Sequence, residues 1–142
     1  MAEEMSPERQ MWNASYANDL PRMQRIYEQH PDLDFNWQDE GGYTSLNVPC
    51  FLRVEVGVPT IQFLLEHGAD PNIGNNYGWM PLTRACFRGR TGNVEALLQG
   101  GANPLLLTNR GDTPANVAIS RNHSEEILPI LWPVVNKMVI KY

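Results

Sequence analysis

A chain that repeats itself at a fixed interval folds as a stack of like units, so self-similarity constrains this sequence more than any composition does. Three segments superimpose: Gly42-Tyr43-Thr44-Ser45-Leu46-Asn47, Gly78-Trp79-Met80-Pro81-Leu82-Thr83 and Gly111-Asp112-Thr113-Pro114-Ala115-Asn116. Their glycines lie 36 and 33 residues apart. A second block recurs in register, with Phe63-Leu64-Leu65-Glu66-His67-Gly68-Ala69-Asp70-Pro71-Asn72 matching Ala96-Leu97-Leu98-Gln99-Gly100-Gly101-Ala102-Asn103-Pro104. From the end of that block to the next turn glycine the count is constant. Asn36 to Gly42, Asn72 to Gly78 and Leu105 to Gly111 are each six residues.

Each unit carries helix punctuation. Thr113-Pro114 places a capping hydroxyl before a proline at the first helical position, where its missing N–H costs nothing. Met80-Pro81 keeps the proline and loses the cap. Gly68 and Gly101 follow Leu-Leu helices, where a left-handed residue ends a helix without a Cβ penalty, and His67 in the last turn suits the helix dipole. Ahead of the first turn, Ser6-Pro7 starts a helix, and Leu20, Met23, Ile26 and Tyr27 form the apolar face of a second.

A period near 33 with a G-x-T-P-L-H-x-A signature resembles the ankyrin repeat. The resemblance covers roughly residues 7 to 128, with Gly111-Asp112-Thr113-Pro114 and Leu65-Glu66-His67-Gly68-Ala69-Asp70-Pro71-Asn72 as the best matches. It implies an all-α solenoid of helix-turn-helix units joined by β-turn or hairpin-like loops. One domain is expected over residues 1–142, with repeats near 6–36, 37–72, 73–105 and 106–142, the last carrying a C-terminal cap.

The sequence departs from that pattern in four places. Pro49 stands inside the first helix of the second repeat, where proline costs about 3 kcal/mol. That repeat is three residues longer than its neighbour, with Leu52-Arg53-Val54-Glu55-Val56 as the insertion, so its first helix is expected to be short, bent or displaced. Asn47, Thr83 and Asn116 replace the family's usual histidine. Pro129 and Pro133 predict a last helix that is kinked or starts late. The apolar tail, with Trp132, Val134, Val135, Met138, Val139 and Ile140, is expected to fold back over the stack, because an exposed stripe of that size promotes aggregation.

Composition narrows the function classes. A chain of 142 residues buries a sufficient core without disulfides or metal. Its net charge of −5 and pI of about 5.1, with no Lys/Arg run, argue against nucleic acid as the main partner. The longest apolar stretch, Ile127 to Ile140, is interrupted by Pro129, Pro133, Asn136 and Lys137 and does not read as a membrane span. Met1 to Met5 carries two acids and no apolar run, unlike a secretory signal. The expected setting is therefore the cytoplasm, or the nucleus, with Cys50 and Cys86 as reduced thiols on equivalent core positions of adjacent repeats. An initial methionine and atypical end repeats suggest a complete chain.

No constellation for catalysis emerges. His30, His67 and His123 fall at helix ends or inter-helix turns of different repeats. There is no P-loop, no G-x-G-x-x-G opening a helix and no H-E-x-x-H. No enzyme activity, cofactor or metal is expected.

The resemblance also implies where a partner would sit: the turn tips and the exposed ends of the first helices, on the concave side. By register these positions include Tyr43, Asn76, Tyr77, Trp79, Phe87, Arg88, Arg110, Asp112 and Arg121, with Tyr16 and Trp37 at the first repeat. Tyr, Trp and Arg dominate interface hot spots because they add area and hydrogen bonds at low entropic cost. Three arginines on one face of an acidic protein imply a protein ligand with some acidic character. The expected molecule is a monomeric scaffold or adaptor. A stoichiometric inhibitor of an enzyme such as a kinase is the alternative, and a small-molecule enzyme a distant one.

Overall fold

Serine before proline opens the first helix: the Ser6 hydroxyl accepts from the Arg9 N–H at 3.1 Å and Pro7 takes the first helical position. In a computed structural model, which describes residues 4–51 and 57–139, this start is followed by seven more helices and, among the described residues, no strand. The helices are α1 (Pro7–Tyr16), α2 (Leu20–Gln29), α3 (Asn47–Phe51), α4 (Val58–Glu66), α5 (Pro81–Arg88), α6 (Thr91–Gln99), α7 (Pro114–Ser120) and α8 (Ser124–Val139). α1 packs on α2, α5 on α6 and α7 on α8. One row stacks α1, α3, α5 and α7, and α4, α6 and α8 stack behind it.

The core runs the length of the stack between the rows. Met11, Met23, Leu46, Ile61, Leu64, Leu82, Leu97, Ile127 and Leu131 are all fully buried or nearly so. Cys50 and Cys86 belong to it as free thiols, and burial pushes both up to about 12. His67 closes α4 among Tyr27, Phe63 and Phe35, at 4.3, 4.2 and 5.8 Å between ring centres. Its Nδ1 lies 2.7 Å from the Phe63 carbonyl, so the ring is a packing element as well as a helix terminus.

The polar punctuation is used as the spacing requires. Gly68 and Gly101 take φ of +94° and +95° after their helices. Thr113 and Asn116 form a reciprocal capping box at α7, each side chain accepting the other's backbone N–H at 3.1 Å. Thr44 and Asn47 repeat it, and the Asn47 amide also donates to the Ile73 carbonyl at 3.3 Å, tying the second repeat to the third. The two asparagines thus do the capping left open by the missing histidines. Thr83, the third replacement, has a buried hydroxyl with no hydrogen-bond partner.

α3 is described over Asn47–Phe51, with Pro49 inside it. Leu52–Val56, the insertion in that repeat, lies outside the described residues.

The last repeat corrects the expectation of a late start and, as far as Val139, that of a folded-back tail; Ile140 lies outside the described residues. α8 starts at Ser124, in register with Thr91 of α6, and runs for 16 residues through both Pro129 and Pro133. It neither starts late nor folds back before Val139. One side of the helix packs on α6 and α7 through Ile127 and Leu131. Trp132, Met138 and Val139 remain 56%, 39% and 60% exposed. A continuous helix satisfies most of its own backbone groups, whereas a reversal near Pro133 would have to find partners for them elsewhere.

Candidate functional site

The side on which the family resemblance places a partner is built on turn tips that share one design. Asp39, Asn75 and Thr108 sit three residues before the turn glycines, and each side chain closes its own loop. Asp39 Oδ1 accepts from Gly41 and Tyr43 N–H at 3.0 and 2.9 Å. Asn75 Oδ1 accepts from Tyr77 and Trp79 at 2.9 and 3.0 Å. Thr108 Oγ1 accepts from Arg110 and Asp112 at 3.3 and 3.2 Å. The tips then bond to one another. Asn76 N–H donates to the Gly41 carbonyl at 3.0 Å and Asn109 N–H to the Tyr77 carbonyl at 3.1 Å. Their amide groups donate to Glu40 and Asn76 carbonyls at 3.1 and 2.9 Å.

This ladder needs glycine where the tips touch. Gly42 and Gly78 have φ of +81° and +76°, and a Cβ on either would stand 2.5 Å from the Oδ1 of Asn76 or Asn109. Turns held this tightly aim the residues beside the glycines without an ordering cost on binding.

Four of the sequence-derived residues meet in one cluster. The Trp79 and Phe87 rings stand edge to face with centres 5.4 Å apart. Arg121 from the end of α7 lies 4.4 Å from the Phe87 centroid and Arg88 lies 5.7 Å from it. A fifth member is Arg84, whose guanidinium is 4.8 Å from Trp79 and 5.0 Å from Phe87. Burial, then the Arg88 charge, lowers the Arg84 pKa, with Tyr43 and Cys50 opposing the shift. An arginine so placed still carries its charge at neutral pH. Three cations over two partly buried rings form a positive surface held together by cation–π contacts.

The first two repeats supply a second aromatic group. Trp12 and Tyr16 stack at 5.8 Å on α1, and Arg9 lies 5.1 Å from Trp12 and 5.6 Å from Trp37. Arg9 also pairs with Glu40 at 3.8 Å, an exposed contact of little energetic weight. Tyr43 and Val48 complete a shallow apolar depression of about 180 Å³ with Trp12 and Tyr16.

The remaining expected positions divide. Tyr77, 70% exposed, and Arg110 project from the tips into solvent. Asp112 is half-buried, with its backbone closing the Thr108 turn. The Asn76 side chain is committed to the ladder, so its role in the array is structural. Sequence register alone missed Arg84 and Trp12. The signal for Arg84 was its place one turn before Phe87 and Arg88 on the same helix; Trp12 carried a similar one, four residues before Tyr16.

Among the described residues no three His, Cys, Asp or Glu side chains could hold a metal ion. The two thiols are buried and held in their protonated form, and His67 is walled in by three rings.

Comparison with known proteins agrees with the architecture. The model of the family described as ankyrin repeats, in three copies, matches residues 11–106 and again 50–138. Ankyrin repeat and SOCS box protein 16 of Mus musculus is 41% identical over 106 residues, covering 67% of this chain and 23% of that protein. An ankyrin repeat protein of Acanthamoeba polyphaga mimivirus is 37% identical over 78 residues, 55% of this chain and 18% of that one. BCL-6 corepressor-like protein 1 of Homo sapiens is 33% identical over 87 residues, 61% and 5% of the two chains. The chain thus spans less than a quarter of the length of each of these relatives.

Proposed function

This chain belongs to the ankyrin-repeat family, whose repeats are generally protein–protein interaction modules and typically not enzymes, and we propose that it docks a partner protein on its concave face. The contact centres on Trp79, Phe87, Arg84, Arg88 and Arg121. It extends along the tips through Tyr77 and Arg110 and across Tyr43 to Trp12 and Tyr16. The observation that carries this reading is the pair of rings overlaid by three guanidinium groups. Among the described residues no carboxylate lies within ion-pair distance of Arg88 or Arg121. The partially buried Nε of Arg88 has no hydrogen-bond acceptor.

A chain of net charge −5 that sets three of its eleven Lys and Arg side chains over two rings is complementary, at that spot, to an acidic, partly aromatic or apolar segment of a partner. Charge there speeds encounter, and the rings supply the area that holds the complex. Two buried free thiols support a reducing compartment, the cytoplasm or nucleus, as the place of action. The module acts as a scaffold or adaptor.

The test is an affinity capture from cell lysate comparing wild type with an Arg88→Glu, Arg121→Glu variant that still melts cooperatively. Both side chains lie outside the core, so the fold should survive. The reading requires that specific proteins disappear from the variant's set and that their binding weakens as salt is raised. An identical set of captured proteins at every salt concentration would refute it.

A further inference from the structure

Each inner repeat hides its downstream face under the next one, so register shows what the last repeat leaves open. Leu82 and Cys86 on α5 are 1% and 0% exposed. Thirty-three positions on, Ala115 is half-buried and Ile119 is 52% exposed. Asn72 clasps the next repeat, accepting from Asn103 N–H at 2.7 Å and donating to the Gly101 carbonyl at 3.2 Å. Its counterpart is Leu105, 40% exposed. A further repeat of the same kind would find no polar clasp at this end. An apolar helix would find a groove of about 750 Å³ between α7 and α8, walled by Leu105, Ile119, Leu128, Trp132 and Val135.

α8 carries two apolar stripes. Ile127, Leu131, Val134 and Met138 follow one another at intervals of 4, 3 and 4 residues, and so do Leu128, Trp132, Val135 and Val139. The first stripe packs on the stack at Ile127 and Leu131, which are buried, and emerges from it at Met138. Of the second, Leu128, Trp132 and Val135 line the groove, and Trp132 and, one turn beyond it, Val139 are largely exposed. That spacing is the seam by which helices pair. A terminal repeat ordinarily turns a polar face outward to keep the array soluble.

We propose that a second copy of this chain covers the groove, α8 against α8 in antiparallel fashion about a two-fold axis near Pro133. The seam is its own complement in this arrangement: Trp132 of one copy meets Val135 of the other, and Leu128 meets Val139. Pro129 and Asn136, which border the seam, are uncharged, so two chains of net charge −5 bring no repelling pair into the contact. Glu125, at the mouth of the groove, is its one charged wall residue. A two-fold contact closes on itself and gives a dimer rather than a fibre. The seam with Ile119 and Leu105 covers on the order of 500 Å² per copy, in the class of weak, reversible interfaces. None of these residues belongs to the concave arginine cluster, so the dimer and the docking face stand or fall separately.

Sedimentation velocity of the full chain from about 2 to 200 µM, a span suited to a weak interface, reads the proposal directly. The wild type should move from monomer toward dimer across that range. Trp132→Glu should stay monomeric at every concentration with unchanged far-UV circular dichroism, and Val139→Glu, at a still more exposed site, serves should the first variant unfold. The Arg88→Glu, Arg121→Glu variant should dimerise as the wild type does. A wild type that remains monomeric at the highest concentration overturns the proposal and leaves the groove to a different protein. A dimer that both folded variants leave intact overturns it equally.

Discussion

Alanine at two turn glycines separates the cost of backbone strain from the worth of the tip-to-tip ladder. Gly78 and Gly111 share one left-handed conformation, φ +76° and +83°. A Cβ at Gly78 would fall 2.5 Å from Asn109 Oδ1 and 2.8 Å from its backbone nitrogen, whereas at Gly111 nothing lies within 4 Å. Both substitutions incur the left-handed penalty of about 1–2 kcal/mol. Only Gly78→Ala must also displace Asn109, which breaks its bonds to the Tyr77 and Asn76 carbonyls at 3.1 and 2.9 Å. Each such bond contributes about 1 kcal/mol net. The expected losses are therefore about 3–4 kcal/mol for Gly78→Ala and about 1–2 kcal/mol for Gly111→Ala. For a chain of this length that corresponds to melting temperatures lowered by about 10 °C and about 4 °C. Urea and thermal unfolding followed by far-UV circular dichroism measure both. Equal losses at the two sites would refute the ladder as a source of stability, and a larger loss at Gly111 would refute the geometry itself.

Three further outcomes follow from the packing. Thr113→Ala removes half of the α7 capping box and should cost about 1 kcal/mol in urea unfolding. Leu64→Ala, deleting a fully buried side chain between the rows, should cost about 2–5 kcal/mol; a loss below that of Thr113→Ala would contradict its place in the core. The thiols set an alkaline limit: folding raises Cys50 and Cys86 to about 12 from an ordinary 9.0. Unfolded chains then release protons that folded ones keep, so stability is full below pH 9 and falls as pH rises toward 12, by up to about 1.4 kcal/mol per unit for each thiol. Cys86→Ala should flatten the unfolding free energy over that window, and an unchanged slope would show the thiol to be accessible in the native state.

How much of this was legible in the sequence depended on how local the physics is. Capping and helix termination are settled within four or five residues, so Ser6-Pro7, Thr113-Pro114, Gly68 and Gly101 could be read directly. The concave cluster needed more. Register placed Trp79, Phe87, Arg88 and Arg121 on one side, because a solenoid converts sequence period into spatial alignment. It did not reveal Arg84, since a charged residue in mid-helix reads as solvated until two rings are seen to flank it. Nor did it reveal that Asn76 is spent on the neighbouring tip, a contact made across 36 residues of chain.

The last helix shows why the apolar tail could not be read correctly from hydropathy. An apolar residue signals only that it will be covered, not by what. The expectation of a fold-back assumed that the chain must cover its own stripe, yet a reversal at Pro133 would strand backbone groups that a continuous helix bonds internally. Keeping the helix leaves Trp132 and Val139 in the open, beside Ile119 and Leu105, whose register counterparts Cys86 and Asn72 are buried or bound to the next repeat. The molecule therefore carries at α7–α8 the apolar half of an interface and on its concave face a cationic, aromatic one. Two surfaces of different chemistry on one small array allow two different binding events, and the independence of their residues means that either can be removed without touching the other.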